Sequence, residues 1–597
     1  MSPRQIRHGD RYGIMAEITT TASEEIRETK PLVRVTMAQG LLLLVLILAG
    51  VMRLAELDAL PLSPAEVEEA LAVWRLGQAE AAGPAFTASP AYFSLTALLS
   101  QIAGYGEATM RLVPALAGLL LVALPWLWRE RLGTVGALTT SALLAGSPAA
   151  AIVARTAGGD SLAALAVLLL LISWSRYQRS GRTLWLYTAA AAAGLGLASG
   201  PLFYSGLLTL AAAGLVRARL GPEPSPPLSP DGHEPARAVM RNAALVGAAT
   251  FAALATLLFW HPAGLANAAT QAGIWLGNFT LEGTLSAWLE PLLVLGRYEI
   301  SVIVLGIGAT GWAMWQGRPF AVFLVYWFAA ILPLALLQHG TMSNVLLLAL
   351  PVYLLLGLWA ESIFKQPAGY SRWALLLALL VLGAIATFNS ARFLRIAAFS
   401  PGQLSFLVLV FLAFILALLA VNVVRTWDQA AAWQGSLLAL LLLLLIYQWG
   451  TGWWLVREGA NDPRARWAQT GTDDDVRLLA ALLTDVSQQV DGSGTGLEIV
   501  AAVESPVLRW YLRAFPNLQM GGTVPPGTTA PAIITPTGSE PALGDDYFGI
   551  DLGLRHTGID FVNTSFGGAL RWWFFHESST VVTGERVILW VRNDALQ

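Results

Sequence analysis

The chain of 597 residues has 13% charged residues and 55% hydrophobic residues, and its mean hydropathy is +0.59. Soluble domains carry about 25% charged residues, so this composition excludes an ordinary soluble protein. The net charge of −3 gives no reason to expect a nucleic acid as partner. The chain has no cysteine, which excludes disulfides, thiolate catalysis and cysteine-based zinc sites.

The N-terminal segment 1–35 is polar and contains several arginines. The first apolar run, Leu41–Met52, follows it without a small-residue cleavage site. We therefore expect an uncleaved first membrane span rather than a signal peptide. The arginines of the tail predict that segment 1–35 is cytoplasmic.

Long apolar runs recur between residues 36 and 454 and predict an all-α polytopic membrane domain. A span needs about 20 mostly apolar residues, because backbone groups in hydrocarbon must be satisfied within the helix. Thirteen segments fit this description: 36–52, 109–128, 134–153, 161–176, 184–199, 201–216, 242–260, 291–315, 319–338, 343–362, 372–390, 402–424 and 434–454.

The apolar segment Ala91–Gly104 is short for a span, and the positions of the arginines decide its assignment. If it lies at the interface without crossing, the arginine-rich loops all fall on the same side as the N-terminus, as expected for cytoplasmic loops. We therefore predict a multi-pass protein of the cytoplasmic membrane. Its sizeable extracytoplasmic parts are then 53–108, 261–290 and everything after Gly452.

The first outer loop, 53–108, contains a helix start. Ser63-Pro64-Ala65-Glu66 places Ser at the N-cap, Pro at the first helical position and Glu at the third, which is a capping box. The apolar stripe that follows has helical spacing: Val67, Ala70, Leu71 and Trp74. We expect an amphipathic helix on the outer membrane surface.

The C-terminal segment 455–597 predicts a small extracytoplasmic α/β domain. A helical period runs from Asp473 to about Val490, and Pro506–Ala514 indicates a second, short helix. Strand candidates separated by Gly/Pro-rich turns are Leu497–Val503, Pro531–Thr535 and Val587–Val591. Nothing in this domain looks catalytic, so we expect it to bind the acceptor or a partner.

Several short stretches carry a resemblance to a known family. They are, in chain order, Arg53–Asp58 with Ser63–Glu66, Ser89–Phe93 with Arg111–Leu116, Ala154–Asp160, and Gln338–Pro351. Their order and spacing resemble those of the GT-C superfamily of membrane glycosyltransferases, especially the branch of protein O-mannosyltransferases and lipid A aminoarabinose transferases. Trp510–Arg513 also resembles a family associated with archaeal flippase activity.

This resemblance implies a GT-C-like fold and a glycosyltransferase that takes a sugar from a polyprenyl-phosphate donor. The acceptor would be a lipid, a glycan or a protein at the outer face, and membrane lipid is a further partner. A carboxylate would take the acceptor's proton, and cationic side chains would stabilise the leaving phosphate. No cofactor is expected, because no cluster of His, Asp or Glu has metal-ligand spacing; a divalent metal is left open.

The resemblance also points to site residues. Its first loop normally carries an Asp-Glu pair, but the Asp position is Ala65 here, so Glu66 and Asp160 are the catalytic candidates. The capping box is an alternative explanation of Glu66. Candidates for substrate binding are three basic residues at outer span ends: Arg155, Arg297 and His339. Each could instead be an ion-pair partner or an interfacial anchor.

Two other functions stay open. Because of Ala65, the chain could be a catalytically inactive GT-C-like subunit that handles a lipid-linked sugar. A secondary transporter would have internal repeats and charges within its spans, and neither is clear in the sequence.

Overall fold

The structure is a computed structural model. It describes residues 36–78, 89–220, 236–262, 264–395, 401–468, 470–539, 543, 546–557, 566–577 and 583–596. The predicted cytoplasmic tail, 1–35, lies outside these ranges.

Helices make up most of the described chain. In the first half they are α1 (Met37–Leu54), α2 (Pro64–Leu76), α3 (Pro90–Ala103), α4 (Glu107–Leu127), α5 (Arg129–Leu132), α6 (Thr134–Gly146), α7 (Pro148–Ala154), α8 (Asp160–Ser180), α9 (Thr183–Ser199), α10 (Pro201–Leu220), α11 (Ala236–Ala255) and α12 (Gly264–Gly277). In the second half they are α13 (Leu285–Tyr298), α14 (Ile300–Val304), α15 (Gly306–Gln316), α16 (Pro319–Leu337), α17 (Asn344–Phe364), α18 (Ser371–Arg395), α19 (Pro401–Trp427), α20 (Gln429–Trp454), α21 (Asp475–Val490), α22 (Pro506–Tyr511) and α23 (Phe566–Phe575).

The polytopic α-helical architecture is confirmed. Within the described residues, 10 helices are long and apolar enough to cross a membrane, or up to 12 spans if two bent helix pairs are each counted as one. The remaining predicted span, 184–199, corresponds to α9, which is apolar but shorter than the others.

Two of the predicted spans are bent rather than continuous. Segment 134–153 forms α6 and α7, which meet at 62°, and segment 291–315 forms α13 and the α14–α15 unit, which meet at 93°. The first bend lies where Ser147 caps α7 and Pro148 occupies its first position. The second bend lies at Glu299, between α13 and α14.

Hydrogen bonds to the buried Glu299 carboxylate join these two bends. The Ser147 hydroxyl and the Ala149 N–H donate to one of its oxygens at 2.6 and 2.8 Å. The Gln448 amide donates to the other oxygen at 2.7 Å, and the Tyr353 hydroxyl also donates to it. One carboxylate therefore connects the turn before α7 with α17 and α20, a contact set that apolar periodicity does not reveal.

The first outer loop contains the predicted helix α2, and its capping box is present. Its apolar face, however, is buried inside the protein: Val67 and Ala70 are fully buried, and α2 contacts α3 and α22. The expectation of a helix on the membrane surface misses these partners, because a stripe of this kind fits protein and membrane equally well. Helix α3 is likewise buried along one face, with Tyr92 fully covered.

The C-terminal part forms the α/β unit that the sequence predicts. Its strands are β1 (Thr470–Thr472), β2 (Ile499–Ala501), β3 (Leu518–Met520), β4 (Ala532–Pro536), β5 (Tyr547–Thr557) and β6 (Thr583–Arg592). They form one mixed sheet in the order β1-β5-β6-β4-β2-β3. The pairs β2–β3 and β2–β4 are parallel, and the other neighbours are antiparallel. The sequence reading missed β1, β3 and β5.

Polar contacts attach this α/β unit to the first outer loop. Arg477 forms an ion pair with Glu107 and donates to the carbonyl oxygens of Asp58 and Ala59. The Tyr511 hydroxyl donates to Glu107 at 2.5 Å and accepts the Leu62 N–H at 2.9 Å. The α/β unit therefore covers the outer loop as part of one structure.

We predict that Tyr511→Phe weakens this attachment by about 1–3 kcal/mol, because it leaves the part-buried Leu62 N–H without its acceptor and removes the shorter of two hydrogen bonds to one Glu107 oxygen. Thermal unfolding of the purified protein and limited proteolysis between α20 and β1 would measure the effect. Tyr547→Phe is the matched control, since its hydroxyl bonds only to Ala530 within the sheet unit. Equal sensitivity of the two variants would contradict the prediction.

Candidate active site

A cavity of about 930 Å³ lies where the first outer loop, two inter-helix turns and the α/β unit meet. Its walls come from α2, from the turn between α7 and α8, from the turn between α16 and α17, and from the segment before and within α22. The polar and charged residues of its lining are Glu66, Glu68, Glu69, Arg75, Ser89, Thr156, Asp160, Thr341, Ser343, Glu504, Ser505 and Arg509.

Glu66 lies in the wall of this cavity, with its carboxylate held on every side. Its two oxygens accept bonds of 2.8 Å from Arg111 Nε and Nη2, and further bonds of 2.8 Å from the N–H groups of Ser63 and Ala157. Burial acts to raise the pKa of Glu66, but the charge and hydrogen bonds of Arg111, with the two backbone N–H groups, lower it overall. Four donors occupy the lone pairs that a catalytic base would need.

Arg111 is the ion-pair partner of Glu66 and was not among the predicted site residues, although it belongs to the quoted stretch Arg111–Leu116. Besides Glu66, its guanidinium binds the carbonyl oxygens of Leu57, Leu60 and Pro61 at 2.7–3.1 Å. The loop residues that precede α2 therefore surround this side chain. A capping box predicts the local bonds of Glu66, but no sequence pattern places an arginine 45 residues away against it.

Ala65 is exposed and lines the cavity directly beside Glu66. This is the position at which the resemblance leads one to expect an aspartate. The α2 wall of the cavity therefore has a methyl group at that point, and besides Glu66 its acidic neighbours along the helix are Glu68 and Glu69.

Asp160 begins α8 and lines the cavity as a half-buried side chain. It is hydrogen-bonded to Ser343 from the turn before α17. The preceding glycine allows close packing, because a Cβ on Gly159 would lie 1.7 Å from the carbonyl oxygen of Ser199. Of the two predicted catalytic carboxylates, Asp160 is the one that can reach a ligand in the cavity.

Arg155 does not line the cavity. Its guanidinium donates to the carbonyl oxygens of Ala55 and Glu56 at 2.6 and 2.5 Å, where α1 ends. Burial, together with the charges of Arg111 and Arg457, lowers its pKa to about 10. A cation at the carbonyl end of a helix is a stabilising arrangement, and it accounts for this side chain.

Arg297 is also placed away from the cavity. It is fully buried against the ring of Trp572 in α23, 3.9 Å from the ring centroid, and contacts His576. Burial and the charge of Arg297 lower the pKa of His576 to about 4, so the imidazole is neutral at pH 7. These contacts of Arg297 attach α23 to the end of α13.

His339 is half-buried at the edge of the site. Its Nε2 is 2.9 Å from the Thr280 hydroxyl, and its ring packs near Trp288. The next residue, Gly340, lines the cavity. His339 therefore lies close to the mouth, without lining the cavity itself.

The cavity also contains charged residues that the sequence reading had not assigned to it. Glu504 and Arg509 come from the α/β unit, which had been expected to bear nothing catalytic, and Arg75 comes from the end of α2. Glu69 of α2 also lines the cavity and is 8% exposed. These residues come together only because α22 packs against α2. No local sequence pattern predicts that contact.

Within the described ranges, no group of three or more His, Asp and Glu side chains is arranged to hold a metal ion. The absence of a metal remains an expectation of the sequence reading.

Comparison with known proteins gives one family match and a set of similar folds. Residues 87–216, less than a quarter of the chain, match the model of the dolichyl-phosphate-mannose-protein mannosyltransferase family. Among curated protein sequences, none matches the chain.

Two solved structures cover nearly the whole chain. One is apo ArnT from Cupriavidus metallidurans, 15% identical over 94% of this chain and 99% of that chain, with a TM-score of 0.53. The other is ArnT from the same organism bound to undecaprenyl phosphate, 16% identical over 84% of this chain and 94% of that chain, also at 0.53. At this identity the likeness concerns the fold.

We predict that Glu66→Gln destabilises the protein by about 3–5 kcal/mol, because it leaves the Arg111 charge buried without its counter-charge. Thermal unfolding of the purified protein would measure the loss. Glu68→Gln is the matched control, since Glu68 is an exposed residue of the same helix. A Glu66→Gln protein as stable as the Glu68→Gln protein would show that the ion pair contributes nothing.

Proposed function

We propose that this chain, which has the fold of the GT-C superfamily of membrane glycosyltransferases, transfers a sugar from a polyprenyl-phosphate donor to an acceptor. The observation that carries the proposal is the cavity at the ends of the spans. It combines an accessible carboxylate, Asp160, with two exposed cations, Arg75 and Arg509. The undecaprenyl phosphate bound to ArnT, a protein of similar fold, supports a lipid phosphate as the donor's leaving group.

In this proposal Asp160 is the general base. It takes the proton of the acceptor group while the acceptor atom forms a bond to the anomeric carbon of the sugar. The bond between that carbon and the phosphate oxygen breaks, and its electron pair leaves with the lipid phosphate. The hydrogen bond from Ser343 orients the Asp160 carboxylate without neutralising it.

Arg75 and Arg509 would stabilise the charge that develops on the leaving phosphate. Both lie on the cavity wall, one from α2 and the other from α22. Guanidinium groups suit this role because they bind phosphate oxygens in pairs. The structure puts Arg155 and Arg297 in other contacts, so we assign phosphate binding to Arg75 and Arg509 and keep His339 as a candidate at the mouth.

Glu66 would act as a positioning residue rather than as the base. Its Oε1 atom accepts hydrogen bonds from both the Ala157 N–H and Arg111 Nε, and it thereby fixes the turn that presents Asp160. The acceptor would enter beside the α/β unit, which contributes Glu504 and Trp467 to the lining.

The side of the membrane on which we propose that the reaction occurs follows from the distribution of arginines. The turns that form the cavity lie at the span ends opposite the arginine-rich loops, which we expect to be cytoplasmic. Transfer would therefore occur on the outer face of the cytoplasmic membrane, with the α/β unit also outside.

One observation favours a second function. Ala65 occupies the cavity wall where the resemblance leads one to expect an aspartate, so the fold could bind a lipid-linked sugar as an inactive subunit. Binding of the donor without turnover would distinguish this function from catalysis.

We predict that Asp160→Asn lowers transfer by about 10²–10⁴-fold, the usual contribution of a general base. The assay is transfer of radiolabelled sugar from polyprenyl-phosphate donors extracted from membranes, with donor binding measured in parallel. Asp58→Asn is the matched control, because Asp58 is an exposed carboxylate of the same outer surface and does not line the cavity.

Transfer that survives in Asp160→Asn but collapses in Glu69→Gln would move the base to α2. Donor binding by the wild type without transfer to lipid, glycan or protein acceptors would support the inactive subunit instead.

A further inference from the structure

A second hollow, of about 550 Å³, lies between α8, α10 and α16. We call it the basic groove. Its apolar walls include Leu170 and Trp174 from α8 and Leu207 and Leu210 from α10, and its floor is formed by Phe320 and Phe323 of α16. Its volume is within the range of small-molecule binding sites, about 300–1,000 Å³.

The basic groove lies at the opposite ends of helices that also border the candidate active site. Asp160 and Pro201, at the starts of α8 and α10, line the cavity, whereas Ser175 and Arg217 near their ends line the groove. At 1.5 Å per residue, Asp160 and Ser175 are about 22 Å apart along α8. The groove therefore belongs to the other face of the membrane, the one that the arginines predict to be cytoplasmic.

The apolar part of the groove is open rather than collapsed. A Cβ added to Gly214 would meet no atom within 4 Å. Trp174 is 46% exposed and Leu207 is 39% exposed, so both side chains are open to the hydrocarbon around the spanning helices. A hollow with such walls at membrane depth fits a hydrocarbon chain.

The membrane-surface end of the groove is cationic. Arg131 and Arg217 line it, and Arg131 is held in place by a bond of 3.2 Å to Ser175 and by the ring of Phe320, 4.0 Å from its centroid. Other arginines occur at the same ends of these helices or in the turns beside them, but they do not line the groove: Arg129, Arg176, Arg179, Arg182, Arg219 and Arg318. Glu130 is an acidic residue next to Arg131, and it pairs with Arg176 at 3.1 Å.

We propose that the basic groove is a binding site for an anionic phospholipid of the bilayer, separate from the sugar-transfer site. One acyl chain lies along Leu170, Leu207 and Gly214, and the headgroup phosphate is bound by Arg131 and Arg217. Basic pockets between membrane helices on the cytoplasmic side bind anionic headgroups, and each cation near the surface contributes about 1 kcal/mol. A zwitterionic lipid would fill the same apolar walls but gain less from these two charges.

Native mass spectrometry of the delipidated full-length protein, titrated with phosphatidylglycerol or with phosphatidylcholine of the same acyl chains, tests this proposal. We expect the first phosphatidylglycerol to bind several-fold more tightly than phosphatidylcholine. Arg217→Gln should weaken its binding about fivefold, as expected for the loss of about 1 kcal/mol. Arg219→Gln, which removes the same charge two residues away from an exposed position outside the groove, should change it less than twofold.

A steric variant keeps the test independent of charge. Gly214→Leu fills the open space and should abolish the selective binding event while leaving the protein folded, as judged by gel filtration and thermal unfolding. Equal weakening by Arg217→Gln and Arg219→Gln, or unchanged binding in Gly214→Leu, would overturn the proposal. Equal affinity of the wild type for the two lipids would overturn it as well.

Discussion

The buried ion pair between Glu66 and Arg111 is the interaction on which the cavity depends. Removing two charges from water is costly, and it is compensated only when geometry and additional hydrogen bonds are good. Both conditions hold here: the pair is bidentate at 2.8 Å, and each partner has further backbone contacts. Through these contacts the pair joins the loop before α2, the start of α2 and the turn before α8.

The residues that hold the cavity wall in place therefore differ from the residues that can contact a ligand in the cavity. Adjacent residues of a helix point in different directions, so Glu66 faces Arg111 while Ala65 faces the open space. An alanine at position 65 therefore leaves the ion pair intact, and the wall keeps its shape without a carboxylate there. The ion pair also holds Ala157, which lies three residues before Asp160. A structural contact can thereby control the position of a candidate base.

Local patterns account for the features that the sequence predicts well. Each apolar run of sufficient length became a helix, because hydrocarbon leaves the backbone no other partner, and the capping box at Ser63 appeared as expected. The bonds that join the bends at Ser147 and Glu299 were not predictable, since they connect segments about 150 residues apart. Arginine is a residue type that often binds phosphate, but in the folded chain Arg155 bonds to backbone carbonyls at a helix end and Arg297 packs in an aromatic cluster.

The two ends of the spanning helices differ in chemistry, and the membrane explains why. Charges are costly within hydrocarbon and concentrate where spans meet water, so α8 has Asp160 at its start and Arg176 and Arg179 near its end. Between these ends α8 has no charged residue, and its length keeps a ligand at one end from direct contact with a ligand at the other. Any influence of the basic groove on the cavity must therefore pass through the packing of α8, α10 and α16, because a close-packed interior transmits strain.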